Sequence, residues 1–297
     1  VLQYTGGTTG RPKAALLTHA NLTATIAILD AWSAPQGMTC PGAQKILCVL
    51  PLFHIYALTV ALLLGVQTGA EIVLHPRFDL EAVLDDIERH RISHFAGVPT
   101  MWIALANRPG IESRDLSSLK FLRSGGAPCP VEIEARIERL TGHRLGGGWG
   151  MTETGPAGTN IPMYGEVQRG TIGLPLPGIE MDVVALDDPR CVLSVGETGE
   201  IRIKGPNVIA GYLNRPDDNA AAFVDGWLLT GDVGYMDASG FFFIVDRKKD
   251  MILSGGFNVY PRMIEEAIYE HPSVAECIVI GVPDAYRGEA AKAFVTL

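Results

Sequence analysis

The strongest constraint on the fold is a hydrophobic period that switches back and forth through the first half of the chain. "FDLEAVLDDIERHRI" (78–92) places Leu80, Val83, Leu84 and Ile87 on one helical face, with Asp79 positioned as the cap. "CPVEIEARIERLTG" (129–142) repeats the pattern with Ile133, Ile137 and Leu140 and ends on Gly142. Short apolar pieces suited to strands lie around them, at 46–50, 71–74, 94–96 and 121–123. Such alternation predicts an α/β fold of parallel sheets flanked by helices.

From about Gly170 the character changes. "GIEMDVVAL", "GEIRIKG", "WLLTGDVGYMD" and "GFFFIVDR" are strand-like pieces broken by Gly, Pro and Asp, and they predict a small β-rich lobe. Beyond "RKKDMI" the sequence predicts the start of a small α+β C-terminal domain. Pro261 opens a helix carrying Ile264 and Ile268, and strands follow around 275–280 and 291–297. The expected organisation is a large domain at 1–246, its N-terminal part missing, then a hinge and incomplete C-terminal domain at 247–297. The chain starts at Val1 without Met and stops in mid-strand, so it reads as a piece of something longer.

Composition narrows the function. There are 24 Lys and Arg against 33 Asp and Glu, a net charge of −9, which argues against broad nucleic-acid binding. Residues 46–70 carry no charged side chain, but Pro51, His54 and Gly65 interrupt them. They read as a buried strand, a loop at "PLFH" and a buried helix rather than a membrane span. The five cysteines (Cys40, Cys48, Cys129, Cys191, Cys277) form no C-x-x-C and read as buried free thiols of a reducing cytoplasm.

"YTGGTTGRPKAALLTH" (4–19) is the richest local signal. Glycines let backbone N–H groups approach a ligand, threonines add hydroxyl donors, and Lys13 adds a movable cation. Pro12 suits the first turn of a helix after the loop. No Asp or Glu occurs before Asp30, so Lys13 has no local carboxylate partner. The physics fits a polyphosphate cradle, with an ordinary structural loop as the alternative. The spacing is neither a Walker A loop nor a Rossmann G-x-G-x-x-G.

The same stretch resembles the phosphate-binding signature of the adenylate-forming (ANL) superfamily: acyl-CoA synthetases, luciferases and peptide-synthetase adenylation domains. Its Gly-Gly form is similar to bacterial long-chain fatty-acid–CoA ligases. Gly6 and Ala14 stand where many members have Ser and Gly, and Ala14 would slightly crowd the helix start. Further motifs follow in family order over the whole chain: "LPLFH" (50–54), "RSGGAPCP" (123–130), "GGWGMTETG" (147–155), "GEIRIKGPNVIAGY" (199–212), "GWLLTGDVGYMD" (226–237) and "VDRKKDMILSGGFNVYP" (245–261).

The resemblance implies a role for each. Thr5, Gly6, Gly7, Thr8, Thr9, Gly10 and Lys13 would hold ATP phosphates. His54, Tyr56, Leu58 and Gly125 would line the acyl pocket, and Gly126, Ala127 and Pro128 one wall of the adenine site. Gly148, Trp149, Gly150, Met151 and Thr152 would meet the nucleotide, Trp149 offering a ring face where the family more often has Tyr. Glu153 offers a hard oxygen for Mg²⁺. Asp232 would accept from the ribose hydroxyls and Arg247 would contact ribose and phosphate. Lys249 matches the hinge, and Gly255 and Gly256 the approach of CoA. The stretch 199–212 reads as scaffold, with Glu200 and Lys204 as simple strand charges.

Lys13, Thr152, Glu153 and Arg247 are thus the expected catalytic set, with ATP, Mg²⁺ and CoA as cofactors and a small carboxylic acid as substrate. The implied chemistry converts that acid to an acyl adenylate and then a thioester. A medium- or long-chain fatty acid is the first expectation. An aryl, short-chain or dicarboxylic acid is the alternative, a buried arginine in the pocket favouring a diacid. A nucleotide-binding fragment without turnover is another alternative, because the family's C-terminal catalytic lysine has no counterpart before Leu297. Homodimer formation and peripheral membrane contact are left open.

Overall fold

The computed structural model describes residues 1–5, 12–37, 42–127, 129–271 and 273–297. They divide into two units, Val1–Glu180 with Lys204–Ala221, and Met181–Ile203 with Ala222–Leu297. Residue 247, the expected start of the hinge, falls within the second.

The first unit opens with an antiparallel hairpin of β1 (Leu2–Thr5) and β2 (Lys13–Leu16), in which Thr5 sits across from Lys13. The helix expected directly after Pro12 is therefore a strand, and α1 (His19–Ser33) begins only after Thr18. The reason is that β2 has backbone partners on both edges. It pairs with β1, Leu16 N–H donates to Gly211 O at 3.1 Å, and Ala14 O accepts from Leu213 N–H at 2.9 Å. Ala14 and Ala15 are buried in this ladder, so Ala14 packs in a strand and crowds no helix. The start of α1 is set by a reciprocal cap: Asn21 N–H donates to Thr18 Oγ1 at 3.1 Å and Thr18 N–H to Asn21 Oδ1 at 3.0 Å.

Five strands, β3 (Lys45–Cys48), β4 (Glu71–Leu74), β5 (His94–Gly97), β6 (Phe121–Ser124) and β7 (Leu145–Gly147), form a parallel sheet in the order β4-β3-β5-β6-β7. This is the expected α/β architecture. Its helices are α2 (Leu64–Thr68), α3 (Leu80–His90), α4 (Pro99–Asn107) and α5 (Val131–Thr141). Asp79 caps α3 as expected, accepting from Ala82 N–H at 3.0 Å. Val83, Leu84 and Ile87 are fully buried against Leu47, Phe95, Trp102, Leu122 and Leu145. Burial of each stabilises the unit by about 1.5–3 kcal/mol. The helix expected after "PLFH" starts as a π-helical stretch, Ala57–Leu63, before becoming α2. Strands β8 (Thr159–Asn160) and β9 (Thr171–Pro175) pair antiparallel, and α6 (Pro216–Ala222) follows later in sequence. Among the described residues, no helix is long and apolar enough to cross a membrane.

The second unit holds β10 (Glu180–Val184), β11 (Gly199–Lys204), β12 (Phe223–Val224), β13 (Trp227–Met236) and β14 (Phe242–Arg247). Their order is β10-β11-β13-β14, with β12 paired to β13. A separate sheet follows, β16-β15-β18-β17, from β15 (Ile252–Ser254), β16 (Phe257–Val259), β17 (Glu276–Asp284) and β18 (Gly288–Thr296). Helix α7 (Pro261–Tyr269) lies between β16 and β17 in sequence. The buried Asp246 carboxylate accepts from Arg262 N–H at 3.0 Å and ties the first turn of α7 to the end of β14. The four described cysteines are free; Cys191 is exposed, which corrects the expectation that all are buried.

Candidate functional site

A short 3₁₀ turn, Thr152–Thr154, carries the two side chains expected at phosphate and metal. It is held from several sides within the first unit. Thr59 Oγ1 donates to Gly155 O at 2.8 Å. Asn207, fully buried, donates through Nδ2 to Thr154 O at 2.7 Å and Ala157 O at 2.6 Å. Ile209 N–H donates to Glu153 O at 2.9 Å. Asn21 Nδ2 in turn holds Pro206 O and Val208 O, each at 3.0 Å. The segment 205–212, expected to be plain scaffold, is therefore the strut that sets the turn.

Tyr212 closes this network. Its hydroxyl donates to Glu153 Oε1 at 2.7 Å, and its ring lies under Lys13 Nζ, 5.3 Å from the ring centroid. Burial foremost, then the Glu153 charge, pushes the Tyr212 phenol far above its ordinary range and keeps it a donor. Lys13 does have a carboxylate partner, Asp218, brought in by α6 from far along the chain. Hydrogen bonds from Lys13 and then Arg215 hold the Asp218 carboxyl below its usual value. Thr5, Lys13, Thr152 and Glu153 are thus brought to one neighbourhood. Gly6, Gly7, Thr8, Thr9 and Gly10 lie outside the described residues, as does Pro128.

The glycines around Trp149 serve the backbone first. A Cβ on Gly150 would lie 1.5 Å from Pro156 O, and one on Gly148 2.4 Å from Thr159 O. One face of the Trp149 ring lies on Gly158, where a Cβ would meet it at 2.5 Å. The backbone N–H of Trp149 donates to Thr159 Oγ1 at 3.1 Å. Beside "RSGGAPCP", the flat ring that occupies the space over Gly125 is the chain's own Tyr56: a Cβ on Gly125 would meet it at 2.9 Å. Gly126 has φ +82°, a left-handed turn that favours glycine, and Ala127 is exposed.

Tyr56 shares its surroundings with Arg123. Burial pushes the Tyr56 phenol up to about 12, with Arg123 pulling it down. Burial also lowers the Arg123 guanidinium to about 10. Arg123 hydrogen-bonds Asn160 Oδ1. His54 is exposed and its Nδ1 accepts from Tyr56 N–H at 3.2 Å; Leu58 is half-buried.

In the second unit, Asp232 and Arg247 face each other across β13 and β14, with Arg247 Nε 2.9 Å from Asp232 Oδ1. The Asp232 side chain is 3% exposed and that of Arg247 47%, so a buried carboxylate carries a half-open guanidinium. Next to them, buried Glu200 accepts from Lys248 Nζ at 2.7 Å and Gly231 N–H at 3.0 Å. Sequence reasoning gave Glu200 no role; its only signal was a glutamate amid apolar strand residues. Lys249 is exposed, 3.8 Å from Asp250. Gly255 and Gly256, at φ +59° and +86°, form the two-residue turn joining β15 to β16. A tight hairpin already accounts for both.

Among the described residues, no group of three or more His, Cys, Asp and Glu could enclose a metal. Glu153 presents a single buried carboxylate with one oxygen held by Tyr212. That donor set fits Mg²⁺, which takes most of its ligands from phosphates and water.

Residues 1–213 match the AMP-binding enzyme family, and residues 263–297 the AMP-binding enzyme C-terminal domain. The chain is 44% identical over 297 residues to a long-chain-fatty-acid–CoA ligase of Bacillus subtilis strain 168, covering 100% of this chain and 52% of that protein. It is 39% identical over 302 residues to 4-coumarate-CoA ligase 2 of Narcissus pseudonarcissus, covering 99% of this chain and 52% of that one. Its fold matches the structure of O-succinylbenzoate coenzyme A synthetase (MenE) from Bacillus subtilis with ATP and a magnesium ion. The TM-score is 0.87 at 35% identity, covering 99% of this chain and 59% of that one. The chain spans about half the length of the curated relatives it matches.

Proposed function

The chain belongs to the AMP-binding enzyme family, and from that premise we propose that the protein carrying it activates a carboxylic acid as its acyl adenylate and passes the acyl group to CoA. The supporting observation is the assembly of Lys13 and Glu153 on one tyrosine, beside the hairpin that closes the glycine–threonine stretch. A carboxylate is a poor acyl donor until its oxygen is made a good leaving group. Attack on the α-phosphate of ATP does that and releases pyrophosphate; a thiol then displaces AMP. An ionised carboxylate needs no general base, so the protein's work is positioning and charge neutralisation.

In this reading Thr5, the stretch 6–10 and Lys13 bind phosphates, with Thr152 adding a hydroxyl. Glu153 would hold Mg²⁺, which when bound neutralises phosphate charge. Trp149, with its neighbours Gly148, Gly150 and Met151, and Gly126 with Ala127 receive the base. Asp232 accepts from the ribose hydroxyls while Arg247 meets ribose and phosphate. Lys249 is the hinge. The open turn at Gly255 and Gly256 receives the pantetheine arm.

A fatty acid is the favoured substrate, on the 44% identity to a long-chain ligase. His54, Tyr56, Leu58 and Gly125 would line its pocket. A second reading, an aryl or dicarboxylic acid, is favoured by Arg123 beside Tyr56 and by the likeness to a 4-coumarate ligase. Free thiols support a reducing, cytoplasmic setting.

Carboxylate-dependent ATP–pyrophosphate exchange by the full-length protein tests the assignment. Glu153→Ala is expected to abolish it. Exchange retained in a folded Glu153→Ala protein removes Glu153 from the metal role.

A further inference from the structure

Tyr212 ends the motif at 199–212 and carries no role in the sequence reading, yet it touches two residues that do. Its hydroxyl donates to Glu153 Oε1 at 2.7 Å, and its ring face carries Lys13 Nζ at 5.3 Å from the centroid. The residue cannot easily turn. Its N–H donates to Asn219 Oδ1 at 2.7 Å and its carbonyl accepts from Asn219 Nδ2 at 3.0 Å. Its backbone bridges to Ala15 in β2, and the side chain is nearly enclosed, the whole residue being 7% exposed. The same ammonium pairs with Asp218.

A glutamate side chain has three torsions to fix before its carboxylate can serve a cation. One fixed O–H donor on Oε1 removes most of that freedom and leaves Oε2 to the cation, as hydrogen-bonded partners do for metal ligands in general. The phenol is suited to this because it donates without adding positive charge, so it does not compete with the cation. The same ring confines Lys13 from below, which an aliphatic side chain at 212 would not do electrostatically.

We propose that Tyr212 is a positioning residue that orients Glu153 toward Mg²⁺ and Lys13 toward the phosphates, so that metal and polyphosphate binding are set together by one side chain. This rests on the metal role proposed for Glu153. It predicts a defect specific to the metal–triphosphate complex, not to nucleotide binding at large.

The test uses the full-length protein, wild type and Tyr212→Phe, with Mn²⁺ as the probe. Binding of Mn²⁺ to the ATP-bound protein is followed by loss of the free-ion EPR signal, and AMP binding is measured by calorimetry without metal. Tyr212→Phe is expected to weaken Mn²⁺ binding about tenfold, to leave AMP affinity within about twofold, and to add nothing further in a Glu153→Gln background. Unchanged Mn²⁺ affinity in a folded Tyr212→Phe protein overturns the inference. So does a parallel loss of AMP and Mn²⁺ binding, which marks a merely structural residue. Wild-type protein that adds nothing to Mn²⁺ binding by ATP overturns the metal role of Glu153 itself, and the inference with it. Should Tyr212→Phe fail to fold, 3-fluorotyrosine at position 212 carries the test. Its ¹⁹F resonance is expected to move when Mg²⁺ joins ATP, and a resonance that stays put overturns the proposal.

Discussion

Gly150→Ala is expected to displace the turn that carries Thr152 and Glu153. A Cβ at 150 would lie 1.5 Å from Pro156 O and 2.4 Å from its carbonyl carbon, against the 3.0 Å that real Cβ contacts respect. The two segments must therefore separate by about 1.5 Å, and since both obstacles are main-chain atoms no rotamer relieves them. Segment 154–157 cannot retreat freely, because Asn207 and Thr59 hold the carbonyls of Thr154, Gly155 and Ala157. The movement falls on 150–153. Overpacking of this kind costs about 1–3 kcal/mol of stability. A misplacement near 1 Å in a positioning group costs about 100-fold in rate. Urea denaturation and ATP–pyrophosphate exchange on the full-length protein read the two effects separately. Gly196→Ala is the control: φ is +85° but nothing lies within 4 Å of the added Cβ, so only about 1 kcal/mol of backbone strain and no loss of exchange is expected. Gly150→Ala with wild-type stability and wild-type exchange would refute the claim that close backbone approach, rather than ligand space alone, requires glycine there.

Two further substitutions probe the second unit. Arg247→Ala strips the buried Asp232 carboxylate of its cross-strand cation. Because Arg247 is half open to water, the stability loss should be modest, about 1 kcal/mol by denaturant titration, while AMP affinity falls about tenfold by calorimetry; unchanged AMP affinity would remove the pair from the ribose role. Lys249→Pro fixes φ near −65° at the proposed hinge. Thioester formation should drop at least about tenfold and adenylation less than about twofold; equal losses in the two half-reactions would argue against a hinge at this position.

The helical face of α3, its Asp79 cap and the four strand positions were legible because each depends on local chemistry: a 3.6-residue period, a side-chain oxygen at the N-cap, and short apolar runs. The strand at Lys13–Leu16 was not, because alanine and leucine favour helix, whereas pairing with β1 on one edge and with the distant carbonyl of Gly211 and N–H of Leu213 on the other makes it a strand. The same blindness to distance hid Asp218, which reaches Lys13 from α6, and Tyr212, whose phenol reaches Glu153 across 59 positions of sequence. Asp232 and Arg247 were singled out separately by motif; that they are direct cross-strand neighbours follows only from the register of β13 on β14. The motif glycines also carry a packing duty that the motifs alone did not reveal. Gly148 and Gly150 admit neighbouring backbone, and Gly125 admits the ring of Tyr56.

Adenylation of a carboxylate is the step on which the whole assignment stands, and isotope exchange between pyrophosphate and ATP observes it directly. The full-length protein should be assayed with octanoate, laurate, palmitate, 4-coumarate and a dicarboxylate. Exchange that requires an added acid and Mg²⁺, and is fastest with the longer alkanoates, is the predicted result. Exchange absent with every acid, from a folded protein that still binds ATP, would contradict it.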